Sequence, residues 1–474
     1  MPPKRQIYLL DPQKYRPEVI AVAFAKTSRS PESFQQIADE LTDEKSAQFH
    51  EKWVVGYGHS SVAEHAVLHI AAENISRLAV ECLESNRLAS YTEKSTRYQK
   101  WDPENFHIPV ELKGHPLEEK YIETCGILFS LYAEGMEKVK YLAEQEDPLK
   151  EGEPESLRQN RIRAKSADVC RFLLPAAALA NVGMTINARA LEHAITKMLS
   201  SPLAEVRSMG DEIKTAARVE VPTLVKYADE DPSLLELEEF FKAGHRLEGL
   251  NPFESGEWCN LIRFDPDAEE MILSAALYKY SGFNHSRVLA NVKTLTDGEK
   301  DRYLEMIFSS RERHHSLPRE LEYIRYTFDL VLDQGAYFEL KRHRIMTQTP
   351  QALGVSLGYT LPRWISLAGM EKDYRSAMQV AEATFWAIFR EFPHVAAYIV
   401  PNAFKRRLLI DFNLRSGMHM LSLRGAPNAH FSMRRAARRM VDEIRAVHPR
   451  LGRFNRLADG ETWQSIESTF FTEA

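Results

Sequence analysis

Apolar and polar residues follow two different periods in the N-terminal part of the chain. In ENISRLAVECLESNR, which ends at Arg87, the apolar positions recur every three or four residues: Ile75, Leu78, Ala79, Cys82 and Leu83. This spacing predicts an amphipathic helix with one buried face. Residues 19–25 (VIAVAFA) and 66–73 (AVLHIAAE) are short apolar runs. Both favour strands, although the second also fits a helix.

The N-terminal pattern recurs later in the chain. Residues 11–45 and 265–300 both open with Asp-Pro, continue into an apolar segment and reach Leu-Thr-Asp before an acidic and a basic residue. Residues 329–344 (DLVLDQGAYFELKRHR) then take the place of the first amphipathic helix, so that Arg344 corresponds to Arg87. Self-similarity of this kind indicates a duplicated unit.

Equal spacings support the duplication. Pro175 is followed twelve residues later by Asn187-Ala188-Arg189, and Pro401 is followed at the same distance by Asn413-Leu414-Arg415. RSMGDEIKTAARVEV and RRAARRMVDEIRAV have helical patterns at corresponding places in the two halves. We therefore predict two tandem copies of one α/β (α+β) unit, a sheet packed with helices, over residues 1–245 and 246–474.

Two strongly charged regions are predicted to lie at the surface. Residues 144–165 are rich in Glu, Pro and Gly, which is typical of a surface connection between helices. Residues 404–425 and 433–440 are locally basic. A solvated helix face explains them best, and a nucleic-acid surface is a weaker alternative because no aromatic platforms are interleaved.

The composition is that of a globular protein, with 44% hydrophobic residues and a net charge of -6. That charge gives no general attraction to nucleic acid or to an anionic membrane. No apolar run reaches the roughly 18–20 residues of a membrane span, and the N-terminus lacks a secretory apolar region. The cysteines are scattered without paired spacing: Cys82, Cys125, Cys170 and Cys259. We expect free thiols in a cytoplasmic protein, with no metal site and no nucleic-acid or membrane partner.

Residues 86–98 (NRLASYTEKSTRY) contain six hydroxyl side chains and two arginines. A solvated loop would explain this polarity. A site for a phosphorylated small molecule would explain it too, because hydroxyl groups and guanidinium forks both bind phosphate oxygens.

Several spaced motifs resemble those of the flavin-dependent thymidylate synthases, whose signature is Arg-His-Arg, seven residues, then Ser, with Arg-Tyr shortly after. The second half keeps the triplet at residues 342–344 but has Ala352 at the Ser position. The first half has Ser85-Asn86-Arg87, then Ser95 and Arg97-Tyr98. Residues 57–66 (YGHSSVAEHA) are similar to the family's Gly-His segment, and residues 313–323 (RHHSLPRELEY) are a weaker form of it.

The resemblance implies a reductive methylation of dUMP to dTMP, with FAD as cofactor and methylenetetrahydrofolate and NADPH as co-substrates. It also implies a homotetramer with sites between subunits, so that two copies of this chain would form a homodimer that acts as a pseudo-tetramer. The residues implied in cofactor binding are Ser28, His59, Ser61, Glu64, Arg87, Asn187, Arg189, His343, Arg344, Asn413 and Arg415.

The nucleotide-binding residues implied by the family are divided between the halves. The first half keeps Ser95, Arg97 and Arg171 but has Ser85 and Met198 at two arginine positions; the second keeps Arg342 and Arg424 but has Ala352 and Ala397. These reciprocal losses predict composite sites that draw ligands from both halves. The implied catalytic residues are Ser95, Arg97, Arg171 and Arg342, and the substrate-binding set adds Glu93, Glu339 and Arg424.

One departure bears on the substrate. Glu339 stands where the family usually has a Gln that contacts the nucleotide base, and Cys82 is its counterpart. A carboxylate prefers a hydrogen-bond donor such as a cytosine amine. Two alternatives therefore stay open: flavin-dependent alkylation of another pyrimidine nucleotide, and a noncatalytic paralogue that binds nucleotide or flavin.

Each motif also has a simpler explanation. The basic triplet at 342–344 could be a helix end favoured by the macrodipole. His59 and His65 could be packing or capping residues, and Asn187 and Asn413 could only cap helices.

Overall fold

This computed structural model describes residues 5–97, 99–244, 257–308 and 315–472. Within these ranges the strands form two sheets: β1 (Val67–Ser76), β2 (Ala89–Glu93), β3 (Leu179–Asn187), β4 (Cys259–Phe264), β5 (Arg325–Asp333), β6 (Thr347–Pro350) and β7 (Lys405–Asn413). Helices surround both sheets, which makes the chain an α+β protein. The predicted boundary between residues 245 and 246 lies outside the described residues.

The helices of the first half are α1 (Pro17–Lys26), α2 (Phe34–Glu40), α3 (Asp43–Phe49), α4 (Arg77–Leu83), α5 (Leu117–Glu146), α6 (Glu155–Cys170), α7 (Ala188–Leu199), α8 (Ala204–Ala217) and α9 (Pro232–Gly244). Those of the second half are α10 (Ala268–Ser281), α11 (His285–Lys293), α12 (Asp297–Phe308), α13 (Gln334–Leu340), α14 (Arg363–Leu367), α15 (Glu371–Phe389), α16 (Leu414–Arg424), α17 (Phe431–Val447), α18 (Pro449–Gly452) and α19 (Trp463–Phe470). A π-helical turn (His50–Gly56) and short 3-10 helices, including Ser60–His65, Arg171–Leu173, Arg319–Tyr323 and Val395–Ile399, lie between them.

The two sheets repeat one topology. The first has the order β1-β3-β2 and the second the order β4-β5-β7-β6, with every neighbouring pair antiparallel. Strands β5, β7 and β6 therefore correspond to β1, β3 and β2, and β4 is an added edge strand. The register agrees with this correspondence, because Ser90 pairs with Thr185 and Thr347 pairs with Asp411.

A local twofold axis relates the two halves where their chains meet. Pro175 and Pro401 face each other as an antiparallel bridge. On one side the Ala176 amide donates to the Val400 carbonyl at 3.0 Å, and on the other the Asn402 amide donates to the Leu174 carbonyl at the same distance. Each bond is the copy of the other with the halves exchanged, so the interface is isologous.

Corresponding helices begin with corresponding caps. Ser76 caps α4 and Asp333 caps α13, each through a side-chain oxygen that accepts an amide hydrogen bond from the first turn. Asn187 and Asn413 cap α7 and α16 in the same way. The cap at Ser76 explains why the amphipathic pattern of ENISRLAVECLESNR becomes a helix only from Arg77 onward; Ile75 belongs to β1, contrary to our prediction.

Three further predictions need correction. Residues 19–25 belong to α1 and not to a strand, because Pro17 opens a helix whose apolar positions lie on the core. Within residues 144–165 only 147–154 connect helices, and the rest lies in α5 and α6. The basic face of α17 is mostly buried: Arg434 and Arg438 pair with Glu461 at 3.2 and 3.1 Å.

Other predictions are confirmed. Residues 66–73 lie largely in β1, and helices α8 and α17 occupy the corresponding amphipathic segments. The four cysteines are free thiols. The largest core crosses between the halves, since Tyr374 and Tyr398 of the second half pack with Phe129 of the first.

No helix in the described ranges is long and apolar enough to cross a membrane.

Candidate functional site

Glu339 lies in the centre of a buried group of arginines. It is near the end of α13, where the Asp333 cap fixes the start of the helix, and only 4% of the residue is exposed. Arg424, the last residue of α16, places its Nη1 3.3 Å from Glu339 Oε2. The Nε of Arg424 donates to His343 Nε2 at 2.9 Å. The second half therefore supplies a carboxylate, a guanidinium group and an imidazole that orients the guanidinium.

The first half supplies two more guanidinium groups. Arg171 follows α6 and is 3% exposed; its Nη2 donates to the Gly335 carbonyl at 3.0 Å and lies 3.9 Å from Glu339 Oε1. Arg97, in the turn after β2, also places a nitrogen 3.9 Å from Glu339 Oε1. Asp168 holds Arg97 by two hydrogen bonds of 2.6 and 2.8 Å. We call Arg97, Arg171 and Arg424 the arginine cluster.

The arginine cluster concentrates positive charge in a buried place. Its three guanidinium groups face the Glu339 and Asp168 carboxylates, and the buried Asp333 carboxylate also acts on Arg171. Burial lowers the pKa of Arg171, and the Glu339 carboxylate opposes that shift. Glu339 Oε1 is buried and accepts no hydrogen bond within the described part of the chain. The cluster therefore brings three guanidinium groups, which are preferred partners of anionic oxygens, into one place.

Burial also determines the protonation of His343. Desolvation, followed by the charge of Arg424, lowers the pKa of His343 to about 3. The imidazole is neutral at pH 7, as its role as acceptor for Arg424 requires.

Arg342 lies beside the arginine cluster and also bridges the halves. Its guanidinium donates to Glu93 of β2 at 3.1 Å and is half exposed. The Glu93 carboxylate is buried and pairs with Arg77 as well. Ser95 accepts a hydrogen bond from the amide of Arg97 at 3.2 Å, so it shapes the turn that carries that arginine. Tyr98 lies outside the described residues.

The counterpart positions across the twofold axis carry different chemistry. Cys82 takes the place of Glu339, Ser85 of Arg342, Met198 of Arg424 and Ala397 of Arg171, as the spacing predicts; the same spacing from β6 puts Gly354 in the place of Arg97. No arginine is left at any of these five positions.

The residues implied in flavin binding by the first half lie at an exposed end of the unit. His59 precedes the 3-10 helix Ser60–His65 and Ser61 lies within it, and both residues are exposed; Glu64 of the same helix pairs with Arg189. Ser28, just after α1, donates to the Ala25 carbonyl.

Aromatic groups border this region. Trp53 and Tyr57 stack with ring centres 5.0 Å apart, and Arg29 lies over Trp53. A partly exposed aromatic stack with nearby cationic and hydroxyl groups fits a flat, phosphorylated cofactor.

The corresponding residues of the second half make a matching ion pair. Asn413 caps α16, and Arg415 bonds to Glu322 at 2.9 Å and to the Leu317 carbonyl at 2.8 Å. Asn187 and Asn413 therefore do cap helices, as the simpler explanation held.

Arg87 and Arg344 have a role that the sequence did not indicate. Arg87 donates to the Met346 carbonyl at 3.1 Å, and Arg344 donates to the Ala89 carbonyl. These two bonds are exchanged by the twofold axis, so both arginines tie one half to the edge strand of the other.

Sequence reasoning missed Asp168, the partner of Arg97. Asp168 and Arg171 are three residues apart at the end of α6, a spacing that puts both side chains on one helix face. That spacing was the available signal. Sequence reasoning also missed the buried ion pair between Lys341 and Glu84. These residues hold equivalent positions in the two halves, and their charged atoms are 2.9 Å apart near the axis.

Comparison with known proteins shows the class of protein. The model of the family described as thymidylate synthase complementing protein matches twice, over residues 9–223 and 260–450. Each match covers one of the two repeated units. The chain therefore belongs to the thymidylate synthase complementing protein family, as a tandem of two units of its fold.

Individual relatives fall into two lengths. The UPF0159 protein of Chlamydia muridarum is 32% identical over 89% of this chain and 82% of its own. The flavin-dependent thymidylate synthase of Clostridium tetani is 28% identical over 45% of this chain and 82% of its own.

Two solved structures are similar to one unit. A flavin-dependent thymidylate synthase from Helicobacter pylori, complexed with FAD and dUMP, covers 42% of this chain and 99% of its own, at 21% identity and a TM-score of 0.32. A UMP/dUMP methylase from Streptomyces cacaoi, bound with 5-Br dUMP, covers 41% of this chain and 93% of its own, at 17% identity and a TM-score of 0.33.

Proposed function

We propose that the chain is a flavin-dependent thymidylate synthase that methylates dUMP reductively to dTMP at composite sites between its halves. The observation that carries the proposal is the arginine cluster, to which Arg97 and Arg171 come from one half and Arg424 from the other. Membership of the family and the names of the single-unit relatives support it. Methylenetetrahydrofolate and NADPH are the proposed co-substrates.

In this proposal the arginine cluster and Arg342 bind dUMP. Guanidinium forks match phosphate oxygens and can polarise the carbonyls of a uracil ring. Asp168 holds Arg97 in place, and neutral His343 orients Arg424. Ser95 positions the Arg97 turn and supplies a hydroxyl to the substrate, and Glu93 orients Arg342.

FAD fits the exposed residues around the Gly-His segment. When bound, FAD supplies the hydride chemistry of the reaction. His59, Ser61, Glu64, Arg189 and Ser28 would hold it from the first half. His343, Arg344, Asn413, Arg415, Asn187 and Arg87 complete the proposed set, and several of these already bond to the protein.

The proposed assembly is a homodimer that acts as a pseudo-tetramer. The outer face of β1 is open, with Val67 44% exposed and His69 also exposed, and two units per chain allow only half of a tetramer. Sedimentation should show a dimer at micromolar concentration; a stable monomer that still binds nucleotide would contradict it. The free thiols support a location in the reducing cytoplasm.

Glu339 favours a second candidate function, the alkylation of another pyrimidine nucleotide. Its Oε1 is buried and accepts no hydrogen bond from the described residues, so a ring or amino N–H donor would complete it. Product assays with dUMP, dCMP and UMP separate the two candidates. Preference for dCMP would favour the second.

The absorbance spectrum of the purified protein tests the flavin. After reconstitution with FAD we expect bound flavin, with lower occupancy in His59→Ala and His343→Ala while far-UV circular dichroism stays unchanged. Complementation of a thymidine auxotroph then tests the reaction. No flavin after reconstitution with excess FAD would leave a noncatalytic paralogue as the better account.

Double substitution tests the composite site. Arg97→Ala and Arg342→Ala each remove a charge-assisted contact, which typically costs about 1.5–3 kcal/mol, or roughly ten- to a hundredfold in affinity. Ser95→Ala should weaken the same site, and the double change of the two arginines should be non-additive because they share one ligand. Ala352→Ser, at a lost position, should have little effect. Full additivity would contradict a shared site.

A further inference from the structure

Residues 425–430 connect α16 to α17 and lie against the arginine cluster. We call them the cluster loop. The loop starts directly after Arg424, the last residue of α16. Its Asn428 carbonyl accepts a hydrogen bond from Arg97 Nη1 at 3.1 Å. The cluster loop is therefore joined to one arginine of the second half through the chain and to one arginine of the first half through a hydrogen bond.

The end of the cluster loop is bonded to the first half as well. His430 is buried and neutral, because burial holds its pKa well below the ordinary range. Its Nδ1 accepts from the Ser432 amide at 3.3 Å, so Nε2 carries the ring proton and donates to the Asp168 carbonyl at 3.0 Å. The side chain of Asp168 holds Arg97. A shift of the cluster loop would therefore move two of the groups that orient this arginine.

Two buried arginines of α17 bind the main chain of the cluster loop. Arg434 Nη1 donates to the Pro427 carbonyl at 2.7 Å, and Arg438 Nη2 donates to the Gly425 carbonyl at 3.4 Å. A guanidinium group has five N–H donors in a fixed planar arrangement, so it can bind a carbonyl and a carboxylate at the same time. The orientation of these two side chains therefore determines where the loop carbonyls lie.

Glu461 orients both of these arginines. It lies shortly before α19, and its Oε2 is 3.2 Å from Arg434 Nε and 3.1 Å from Arg438 Nε. Arg438 also donates to the main-chain carbonyl of Glu461. The same C-terminal segment touches the start of the loop, because a Cβ at Gly425 would collide with the Leu457 side chain. The C-terminal segment and the cluster loop are thus packed as one unit.

We propose that Arg434, Arg438 and Glu461 are positioning residues for the arginine cluster. Glu461 orients the two arginines of α17, these arginines fix the carbonyls of the cluster loop, and the loop fixes Arg424 and Arg97. The inference rests on the proposed function only for the identity of the ligand, dUMP.

Two neighbouring substitutions on α17 test the proposal. Arg434→Lys keeps the charge beside Glu461 but loses the fork that reaches the Pro427 carbonyl at the same time. Arg435→Lys is the matched control. The side chains of Arg434 and Arg435 are 8% and 11% exposed, and Arg435 pairs with Glu467 of α19 at 2.9 Å. Within the described residues Arg435 makes no hydrogen bond to the cluster loop.

Equilibrium dialysis of the full chain with dUMP gives both the Kd and the number of sites. Arg434→Lys should raise the Kd about tenfold, the effect of roughly one misplaced hydrogen bond, and Arg435→Lys should leave it unchanged. A purely structural role would lower the number of sites per chain and leave the Kd as it was, so that result would overturn the proposal. If Arg434→Lys does not fold, Glu461→Gln and its control Glu467→Gln replace the pair, with the same expected results.

Hydrogen–deuterium exchange of the ligand-free chain separates this proposal from the proposed function. The amides of Ala429 and Arg97 are hydrogen-bonded within the cluster loop and within the turn after β2. In Arg434→Lys both segments should exchange about tenfold faster than in the wild-type chain or in Arg435→Lys.

The two measurements together decide the outcome. Faster exchange in Arg434→Lys, with no dUMP bound by the wild-type chain, would support the positioning and overturn the proposed function. Binding of dUMP with the same Kd in Arg434→Lys as in the wild-type chain would overturn the positioning, at any exchange rate, and leave the proposed function in place. Unchanged exchange together with no binding to the wild-type chain would overturn both.

Discussion

The arginine cluster and a cavity of about 350 Å³ on the other side of the axis, lined by Cys82, Ser85 and Tyr337 among others, occupy the same place on two copies of one fold. Both lie beside the helix that follows the first strand of the repeated unit, α13 and α4, and both are closed by the edge strand of the other half. One contains three arginines around a carboxylate, and the other contains Cys82 and Ser85 beside open space. The backbone is repeated, and the difference in chemistry comes from a few side chains.

The comparison shows that the two halves have lost complementary sets of the residues that form the arginine cluster. Met198 and Ser85 lie in the first half, and Ala397 and Gly354 in the second, yet all of them correspond to residues at or beside the arginine cluster. A decaying second copy would have lost groups from one half only. Losing them from both halves on one side of the axis keeps one complete set.

The largest effect is expected from removing the carboxylate at the centre of the cluster. Glu339→Ala leaves buried guanidinium groups without their shared partner, and breaking a buried ion pair in this way costs about 3–5 kcal/mol of the free energy of unfolding. The matched change Cys82→Ala should cost about 1 kcal/mol. Urea denaturation measures both. Inorganic phosphate should restore part of the loss in Glu339→Ala, because an anion can bind the unpaired cluster; equal losses at the two positions would erase the contrast.

The next effect concerns the proposed methylation of dUMP. Arg424→Met should lower kcat/KM for dUMP about ten- to a hundredfold, since it removes a charge-assisted contact of about 1.5–3 kcal/mol. Met198→Leu, at the counterpart position, should leave kcat/KM unchanged. Steady-state dTMP formation gives both values. A similar decrease of kcat/KM in both variants would mean that the two sides of the axis contribute equally to the reaction.

A smaller effect should appear in the pH dependence of stability. His343 has a pKa of about 3 in the folded chain, below its ordinary value of about 6.5. Below pH 6.5 the unfolded chain gains a proton that the folded chain does not, so stability falls as the pH drops from 6.5 toward 3.

His343→Asn introduces the residue found at the counterpart, Asn86. Between pH 7 and pH 5 the wild-type chain should lose about 1–2 kcal/mol more than this variant, because the variant lacks one titrating imidazole. His50 and His430 also have lowered pKa values from burial, but they are common to both proteins. Urea denaturation measures the free energy of unfolding at both pH values. An equal loss between pH 7 and pH 5 in the wild-type chain and in the variant would rule out this role for His343.

The smallest effect on stability is expected where the halves agree. Arg189 and Arg415 make matching, partly exposed pairs with Glu64 and Glu322, and such pairs contribute about 1 kcal/mol or less. Arg189→Ala and Arg415→Ala should therefore leave the unfolding free energy nearly unchanged. Both should reduce FAD occupancy in titrations if both units hold flavin. A lower FAD occupancy in only one of the two variants would mean that the flavin sites, like the arginine cluster, differ between the two halves.

The duplication and the pairing of corresponding residues could be predicted from the sequence because they depend on spacing. Twelve residues separate Pro175 from Asn187 and Pro401 from Asn413, and the structure places both asparagines as caps of corresponding helices. The reciprocal set Arg97, Arg171 and Arg424 followed from the family motifs, and these residues do meet.

Other features could not be read from local pattern. Residues 19–25 have an apolar run that suits a strand or a buried helix equally, and Pro17 decided for the helix. The basic residues of α17 looked solvated, but Glu461, far along the chain, pairs with Arg434 and Arg438. The cavity was also hidden, because it arises from contacts between α4 and α13 that no local spacing encodes.

The paired main-chain bonds at Pro175 and Pro401 have an evolutionary consequence. They join the two units as two separate subunits would be joined, so the chain has the form of a dimer encoded by one gene. In a dimer of identical subunits every substitution appears twice, and a change that empties one pocket empties its twin. When both units are encoded by one gene, a substitution changes one unit and leaves the other as it was. One of the two equivalent pockets can therefore change while the other keeps its side chains.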